Sequence, residues 1–442
     1  MNNPFDQFIQ SEPVLKFWQN FISTHPKSLV YLVGGSVRDT LLQRDRKDFD
    51  FVVTGLEQKK LESWLRDQGR VELTGKNFGV YKFLPWNFEA PEYRFIDIAL
   101  PRTEDAISNS QGGYRDFETQ SNPNLSIEKD LGRRDFTINA MAYEIFTKTL
   151  TDPFDGQYDL DNETIRAVGN PYNRFKEDMS RMLRAVRFAA QLNFTIEPET
   201  LAAIRQKAND LNQRRSTLSG QTGYVVPREV IGSELSKALQ ANPKKTITLL
   251  DETELLHQLL PQLVNKPSDY FIPVYEADPK NLTVTLALLL RELPLDQIGT
   301  ALKSIGLTTL PHQSSLRIDA DEVKWIVQRL QNKPKNPNQI RPTDFEKMYM
   351  NGRAKSFMET LRALGEQALL QKAKHRVASI KKIWKVKGLE KIPHLISGQD
   401  LIKLGIAEGP QIRIMLEKIR DAQLDGIVTN REEAILFVKQ EQ

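Results

Sequence analysis

The chain has 442 residues, of which 40% are hydrophobic and 27% are charged, a balance typical of a globular protein with more than one domain. No apolar run reaches the roughly eighteen residues of a membrane span, and the N-terminal stretch lacks the basic start and apolar segment of a secretory signal. The absence of cysteine excludes disulfides and thiolate zinc sites and fits a reducing compartment. Together with the missing membrane span and signal, it leads us to expect a cytoplasmic protein without membrane contact. The net charge of +4 decides neither for nor against a nucleic acid partner.

The first third of the chain predicts a mixed α/β region. Short apolar runs bounded by Gly, Pro or Asn indicate five strands, at residues 29–33, 49–53, 71–73, 80–84 and 93–100. The first of these runs leads through Gly34 and Gly35 into a short predicted helix from Val37 to Leu42.

From about residue 131 onward the pattern becomes helical. Apolar residues recur at helical spacing in several segments, among them 138–145, 249–263 and 282–293. Polar stretches at 216–223 and 332–342 indicate breaks between helical units. The predicted fold class is therefore α+β, with a mixed-sheet head followed by an all-α remainder. The predicted domains are a head (1–145), a neck (146–240), and a body and tail (241–442).

The sequence Gly34-Gly35-Ser36-Val37-Arg38 joins the first strand to the first helix. Two glycines let the backbone approach a ligand closely and leave N–H groups at the helix start, a geometry that suits phosphate. Arg38, one turn into the helix, adds a group that can bind phosphate through two hydrogen bonds. The same turn also occurs as plain structure, so it does not decide the function alone.

Two aspartates, Asp48 and Asp50, lie at the start of the next strand. Residues two apart in a strand point to one face, so the two carboxylates converge while Phe49 turns to the core. Close carboxylates repel each other unless a cation lies between them, and Mg²⁺ prefers carboxylate and phosphate oxygens. The pair predicts a magnesium site, and a solvated strand end is the alternative. Asp97, on a later strand, is a candidate for the further carboxylate that metal-dependent phosphoryl transfer needs.

These residues begin a longer series of motifs. The glycine turn and the Asp-x-Asp pair are followed by three more motifs, Arg133-Arg134-Asp135-Phe136-Thr137-Ile138-Asn139-Ala140, Asp152-Pro153-Phe154-Asp155-Gly156 and the stretch from Glu177 to Phe188. In this order they closely resemble the class II tRNA nucleotidyltransferase and bacterial poly(A) polymerase family. The resemblance covers about residues 30 to 195, and a looser one returns from Ser397 to Ala434.

The resemblance implies a polymerase-β-like head that binds Mg²⁺, takes ATP and CTP as substrates, and acts on a tRNA 3′ end without an obligate protein partner. It also implies roles for individual residues. Gly34, Gly35 and Arg38 would hold the triphosphate; Asp48, Asp50 and Asp97 would be catalytic, with Asp48 and Asp50 as metal ligands; Arg134, Asp135 and Asn139 would contact the nucleotide; and Asp178, Arg181, Arg184 and Arg187 would form a nucleotide-selecting helix.

The spacing of that last segment supports base selection independently. Its acid and three arginines step three residues apart, on an arc separate from an apolar stripe. Cytosine and adenine both present an amine donor beside a ring-nitrogen acceptor, whereas uracil and guanine present the reverse. An aspartate acceptor beside an arginine donor therefore favours C and A. A solvated charged face is the alternative.

Two departures from the family pattern stand out. Family members often have Glu-Arg where this chain has Glu229-Val230, ahead of Glu234. None of the five histidines is followed by aspartate, so the phosphohydrolase domain of some bacterial members is not expected.

Two further segments bear on RNA. Lys381, Lys382 and Lys385 lie in a lysine-rich stretch around Trp384, and basic residues beside an aromatic suit a phosphate backbone, with a solvated face as the alternative. Residues 101–124 are polar and predict a mobile loop beside the active site. In the family such a loop accompanies addition of the terminal A, and Arg102, Glu104 and Arg115 would reorient the selecting helix. An ordinary surface connection is the alternative.

The sequence therefore predicts a transferase that adds C and/or A residues of the 3′-terminal CCA to tRNA, with A addition included. A poly(A) polymerase for general RNA 3′ ends is the alternative within the family. A catalytically inactive RNA-binding protein and a small-molecule nucleotidyltransferase are the alternatives from other classes. The retained Asp48 and Asp50 argue against the first of these, and the long basic helical tail argues against the second.

Overall fold

The computed structural model describes residues 4–5, 16–44, 49–73, 80–86, 96–106, 117–216, 222–307, 318–386 and 392–441. The chain divides into two units, Met1–Val264 and Asn265–Gln442. The domain boundaries predicted at residues 145 and 240 remain predictions. No helix in the described ranges is both long and apolar enough to cross a membrane.

A mixed sheet of seven strands organises the first unit. The first nine strands of the described chain have the bounds β1 Leu29–Val33, β2 Asp50–Thr54, β3 Gly69–Leu73, β4 Val80–Pro85, β5 Ile96–Ala99, β6 Arg102–Ala106, β7 Phe117–Ser121, β8 Ala142–Glu144 and β9 Thr149–Thr151. The sheet has the order β3-β4-β5-β2-β1-β8-β9, and β6 pairs with β7 in a separate ribbon. Within the sheet β2 and β5 run parallel, and the other neighbours run antiparallel.

Helices cover both faces of this sheet because its strands alternate apolar residues to each side. The helices of the head are α1 Lys16–Thr24, α2 Gly35–Leu41, α3 Gln58–Gln68 and α4 Ile127–Gly132. On one face the Trp18 ring of α1 lies 5.1 Å from Phe51 of β2, inside a cluster of buried aromatic rings. On the other face Val52 packs with Ile127 and Leu131 of α4. The polar ends of β2 and β5 lie at the edge of the core on this second face, which Val52, Ile127 and Leu131 form.

The rest of the first unit is mostly helical. Its helices are α5 Gly156–Asp161, α6 Pro171–Glu177, α7 Ser180–Leu192, α8 Pro198–Lys207, α9 Arg228–Ala241, α10 Pro243–Glu252 and α11 Leu255–Leu259. Two small ribbons interrupt them: β10 Thr164–Ile165 pairs with β11 Thr195–Ile196, and β12 Arg214–Ser216 pairs with β13 Thr222–Tyr224. Helix α7, which carries the predicted selecting arginines, packs against α9.

The helix predicted at residues 138–145 is wrong. Thr137–Asn139 form a single 3₁₀ turn, and the chain then enters β8, which pairs with β1. All of these residues are buried, so the apolar run fits the period of a helix and that of a strand buried on both sides equally well. The ribbons β10–β11 and β12–β13 likewise show that the remainder is not purely helical.

The second unit is helical throughout its described residues. Its α-helices are α12 Ile272–Glu276, α13 Leu282–Leu289, α14 Leu295–Ser304, α15 Ala320–Gln331, α16 Pro342–Tyr349, α17 Ala354–Ala363, α18 Gln367–Lys385, α19 Gly398–Lys403, α20 Pro410–Leu424 and α21 Arg431–Glu441. The prediction of an α+β protein with a mixed-sheet head and a largely helical remainder is confirmed.

Candidate active site

The glycine turn between β1 and α2 is the predicted phosphate-binding segment, and its two glycines differ in their surroundings. Gly34 has φ 66°, a backbone conformation that favours glycine, and a Cβ there would lie 2.5 Å from Nη1 of Arg134, so the end of that side chain would have to move. A Cβ on Gly35 would meet only Arg38, at an ordinary 3.5 Å. The described protein therefore gives no steric reason for glycine at 35. The Ser36 hydroxyl accepts a hydrogen bond from the Asp50 amide at 3.3 Å, which ties the turn to β2.

Two of the predicted carboxylates lie side by side on neighbouring strands. Asp50 opens β2 in register with Asp97 of the parallel strand β5, and the Asp97 amide donates to the Phe49 carbonyl at 2.9 Å. Registered residues of paired strands face the same side of a sheet, about 5 Å apart. Both residues are partly exposed. Asp48 lies outside the described residues, so its convergence with Asp50 remains a prediction.

The donor chemistry at this edge fits the predicted metal. Carboxylate oxygens are the ligands that Mg²⁺ prefers in proteins, and Asp50 and Asp97 present two such groups on one face. Within the described ranges no three His, Asp or Glu side chains form a metal-binding cluster, and those ranges omit Asp48.

A cation beside these carboxylates was missed in the sequence. Lys82 of β4 lies in register with Asp97, and its Nζ is 3.9 Å from Asp97 Oδ1. The one available signal was a lysine in the middle of the apolar run from Val80 to Leu84. Lys82 offsets part of the negative charge at this edge of the sheet.

A chain of hydrogen bonds joins the glycine turn to the selecting helix. Nη1 of Arg38 donates to the Asn139 side-chain oxygen at 2.7 Å, and the Asn139 amide nitrogen donates to Asp135 Oδ1 at 3.2 Å. Asp135 Oδ2 in turn accepts from Nε and Nη2 of Arg184, at 2.8 and 2.5 Å. The structure thus brings together four of the predicted site residues. Arg38 comes from the helix after the turn, Asp135 and Asn139 from the Arg-Arg-Asp motif, and Arg184 from the selecting helix.

The link between Asp135 and Arg184 is an ion pair between a buried carboxylate and a guanidinium side chain that is 36% exposed. Burial by itself would raise the pKa of Asp135, but the charge of Arg184 and the hydrogen bonds from Arg184 and Asn139 hold that pKa well below its usual range. The carboxylate of Asp135 correspondingly raises the pKa of Arg184. Both groups are therefore charged at neutral pH, and the attraction between them offsets the cost of removing each charge from water.

Asp178 does not lie on the selecting helix, as the spacing predicted, but just before it. It separates α6 from α7 with extended backbone, φ −148° and ψ 102°. Its Oδ1 accepts hydrogen bonds from the Ser180 amide at 2.9 Å and the Ser180 hydroxyl at 2.6 Å, so the acid helps to start α7. A serine two residues after an acid favours such a start over an uninterrupted helix. Burial raises the pKa of Asp178, against the hydrogen bonds from Ser180.

Two of the arginines of α7, Arg181 and Arg187, are largely buried in the first unit rather than part of a solvated face. Arg181 is 7% exposed; its Nη1 donates to Glu177 at 2.8 Å and its Nη2 donates to the Arg133 carbonyl at 3.1 Å. Arg187 donates to Glu234 of α9 at 2.5 Å. Glu234 was noted in the sequence only as a landmark, and no motif identified it as a partner of the selecting helix.

An aromatic ring lies among three of these guanidinium groups. The Phe188 ring centroid lies 5.2 Å from Cζ of Arg38, 5.5 Å from that of Arg184 and 3.9 Å from that of Arg187. The ring face attracts cations and limits the rotamers of the arginines around it. Sequence reasoning gave Phe188 no role, because an aromatic after an arginine is an ordinary core residue by itself.

Arg134 is held more loosely than its neighbour Arg133. Its Nη1 and Nη2 make long contacts of 3.4 Å, to the Asn139 carbonyl and to Asp130. Arg133 donates to the fully buried Asp130 at 2.9 and 3.0 Å and acts as its main charge partner. Of the two arginines in the motif, Arg134 therefore has the weaker bonds to exchange for a ligand.

The stretch predicted as a loop at residues 101–124 contains regular structure. Its described ends form β6 and β7, paired from Arg102 with Ser121 to Ala106 with Phe117, so the prediction of a loop throughout is wrong. These residues look like a loop in the sequence because no clear alternation of apolar and polar residues marks the strands. Arg102 lies in β6; Arg115 falls outside the described residues, as does the Glu104 side chain.

The lysines predicted to bind RNA share one exposed face of α18 in the second unit. Lys374, His375, Lys381, Lys382 and Lys385 are all exposed and lie within one arc of the helix, opposite the buried Trp384. Arg376 of the same helix belongs to the core side, where it donates to the Ile340 carbonyl at 2.9 Å and lies over the Phe345 ring. A continuous positive face without a carboxylate on it suits a polyanion.

Comparison with known proteins agrees with this arrangement. A family model described as the poly A polymerase head domain matches residues 30–166. A CCA-adding enzyme of Lactobacillus gasseri is 30% identical over 417 residues, which are 92% of this chain and 91% of that protein. A multifunctional CCA protein of Stenotrophomonas maltophilia is 40% identical over 238 residues, 53% of this chain and 52% of the relative. The chain thus spans about half the length of that relative and of others like it.

A solved structure of the Bacillus stearothermophilus CCA-adding enzyme in complex with CTP shares the fold. Its TM-score is 0.73 at 24% identity, and the match covers 100% of this chain and 98% of that one. The sheet, the glycine turn and the neighbouring carboxylates lie within the residues that match the poly A polymerase head domain. The chain belongs to the family of class II tRNA nucleotidyltransferases, which includes CCA-adding enzymes and bacterial poly(A) polymerases.

Proposed function

We propose that this protein adds C and A residues of the terminal CCA to the 3′ end of tRNA, taking them from CTP and ATP without a nucleic acid template. The observation that carries the proposal is the continuous link Arg38–Asn139–Asp135–Arg184, which joins the turn suited to phosphate to the helix suited to a base. Membership of the family supports tRNA as the acceptor, and the cytoplasm is part of the same proposal.

The triphosphate would lie at the turn between β1 and α2. The Gly35 region offers backbone N–H groups at the start of α2, and Arg38 adds a guanidinium that uses three of its five N–H groups on Asp39 and Asn139. Arg134, with its long bonds beside Gly34, is placed to reach the same ligand. Together these donors would neutralise phosphate charge and fix the nucleotide.

Asp50 and Asp97, with Asp48, are the residues that would hold magnesium. Bound there, Mg²⁺ favours deprotonation of the RNA 3′-hydroxyl and stabilises charge on the pyrophosphate. The protein would contribute the alignment, because β2 and β5 hold the two described carboxylates in register and a hydrogen bond ties β2 to the turn proposed for the phosphates. The 3′ oxygen forms a bond to the α-phosphorus while the bond to the pyrophosphate oxygen breaks.

Base choice would rest on Asp178 and the arginines that follow it. Ser180 holds Asp178 through Oδ1, and no described residue donates to Oδ2, which can accept from the exocyclic amine of cytosine or adenine. Arg181 or Arg184 would donate to the adjacent ring nitrogen. With uracil or guanine, the carboxylate would face a carbonyl acceptor and the guanidinium would face a ring N–H donor. Leaving these groups without hydrogen bonds is costly in a site of low polarity.

The direct test offers labelled CTP or ATP with four RNAs: tRNA lacking CCA, tRNA ending in CC, intact tRNA and an unstructured RNA. The proposal predicts C and A addition to the first, A addition to the second, and little addition to the other two. Long A runs on the unstructured RNA would show a poly(A) polymerase instead. No incorporation on any RNA would contradict both.

A further inference from the structure

An aromatic ring between two arginines forms a cluster that the nucleotide site does not use. Tyr224 of β13 is 37% exposed, with Cζ of Arg228 3.5 Å from its ring centroid on α9 and Cζ of Arg214 4.4 Å away on β12. Nη2 of Arg214 also donates to the tyrosine hydroxyl at 2.8 Å. We refer to Arg214, Tyr224 and Arg228 as the arginine clamp.

Among the described residues the clamp is positively charged without a compensating acid. Nη2 of Arg228 donates to the side-chain oxygen of Asn212 at 2.7 Å, a neutral partner, and Arg214 donates to the tyrosine hydroxyl. Neither arginine has a carboxylate partner in the described part of the chain. The hydrogen bond from Arg214 and the charge of Arg228 lower the pKa of Tyr224 in spite of its partial burial.

The clamp lies at the same end of the helical layer as the base-selecting residues. Helix α9 runs alongside α7 in the same direction, as two contacts indicate. Arg187 of α7 pairs with Glu234 midway along α9, and Lys245, near the start of the following helix α10, donates to Asn193 at the end of α7 at 3.2 Å. The first residue of α9, Arg228, therefore lies toward the start of α7, where Asp178 and Arg181 are found.

We propose that the arginine clamp binds a backbone phosphate of the RNA strand whose 3′ end enters the active site. This inference rests on the proposed function, since it assumes that an RNA 3′ end reaches a nucleotide whose base lies at Asp178 and Arg181. A guanidinium binds phosphate through two parallel N–H groups, and stacking on Tyr224 holds both arginines before RNA arrives, which reduces the side-chain entropy lost on binding.

The test measures RNA affinity separately from catalysis. Arg214→Gln removes one exposed charge, Tyr224→Leu keeps both charges but removes the ring, and Lys237→Ala removes an exposed charge elsewhere on α9 as the matched control. Binding of fluorescein-labelled tRNA lacking CCA is followed by anisotropy across a salt series, without nucleotide or magnesium. Addition of C to saturating tRNA is measured in parallel.

We expect Arg214→Gln to weaken binding about five- to tenfold and to reduce the slope of log affinity against log salt by about one. Tyr224→Leu should weaken binding with little change of slope, and Lys237→Ala should stay close to wild type. The kcat at saturating tRNA and the KM for CTP should be unchanged in all three. Wild-type affinity in Arg214→Gln, or an equal loss in Lys237→Ala, would overturn the clamp.

The outcomes separate the clamp from the proposed function. If the wild-type protein binds tRNA but transfers no nucleotide, the proposed function fails and the anisotropy series still decides the clamp. If the wild-type protein does not bind tRNA, the clamp is wrong.

Discussion

Helices α7 and α18, one from each unit, hold their charged residues in opposite ways. In the first unit, the arginines of α7 pair with largely buried carboxylates, as in Asp135 with Arg184 and Arg187 with Glu234. In the second unit, the lysines of α18 point to solvent and pair with no described carboxylate. A buried pair couples stability to function, because removing one partner leaves a buried charge alone. Exposed lysines contribute little to stability and are available to a polyanion.

The largest expected effect is on activity alone. Asp50→Asn removes a partly exposed carboxylate at the metal edge, so nucleotide addition should fall by about a thousandfold or more, while the melting temperature stays near wild type. The measurement is single-turnover addition of labelled CTP, with Asp67→Asn, an exposed carboxylate on α3, as the control. Activity above a few per cent of wild type, or a large loss of stability, would place Asp50 outside the metal site.

Asp135→Asn should reduce both stability and activity. It leaves Arg184 without its partner, and because that side chain is about one third exposed we expect a loss of about 2–4 kcal/mol in the free energy of unfolding by urea. Asp161→Asn, an exposed carboxylate on α5, is the matched control. Wild-type stability in Asp135→Asn would mean that the pair is not coupled to the fold.

The pH dependence of that stability follows from the pKa of Asp135. Its folded-state pKa lies below the unfolded one, so the folded protein binds fewer protons and the stabilisation is fully present above the ordinary pKa of about 3.9. The stabilisation declines as the pH falls below that value. The difference in unfolding free energy between wild type and Asp135→Asn should therefore be constant at neutral pH and shrink under acid.

Arg181→Ala should change base choice more than overall affinity for triphosphate. The ratio of kcat/KM for CTP and ATP over UTP and GTP should fall by about tenfold or more. Some stability should also be lost, because Arg181 donates to Glu177 and the Arg133 carbonyl. A uniformly weaker enzyme with unchanged selectivity would make Arg181 a structural residue.

Replacing residues 107–116 by a short glycine linker tests the ribbon β6–β7. This change keeps the paired strands and alters only the segment between them. If the segment helps to reorient the selecting helix, A addition to tRNA ending in CC should fall by a larger factor than C addition to tRNA lacking CCA. Full A addition would make it an ordinary connection.

The smallest effect on the fold is expected in the second unit. The triple change of Lys381, Lys382 and Lys385 to Ala should lower the slope of log tRNA affinity against log salt by about two. The free energy of unfolding should change by less than about 0.5 kcal/mol per lysine. The matched control changes three exposed lysines elsewhere in the unit, Lys324, Lys335 and Lys355. Equal slopes in both triple variants would remove α18 from the RNA interface.

The sequence allowed the head to be predicted well because its signals are local. The strand Leu29–Val33 was predicted with its observed bounds, and Gly34 has the positive φ that favours glycine at a turn. The helix predicted at 138–145 failed because strand and helix compete for a short buried apolar run. Asp178 was placed on the helix because spacing does not show that this acid accepts hydrogen bonds from Ser180 ahead of the first turn.

Partners across the fold could not be predicted in the same way. The pairs Asp135–Arg184 and Arg187–Glu234 join residues 49 and 47 positions apart, and nothing local specifies them. Lys82 beside Asp97 depends on the register between β4 and β5, which only the assembled sheet fixes. Motifs thus supplied the candidate site residues, which remain predictions, whereas the ion pairs between them could be seen only in the structure.

The measurement that tests the central claim most directly is sequencing of the 3′ ends made on tRNA lacking CCA, with all four nucleoside triphosphates at equal concentration and no template. If Asp178 and the arginines of α7 select the base, the added residues should be C and A, with A last and no further growth. Frequent U or G among the added residues, or continued growth beyond A, would contradict base selection by the protein.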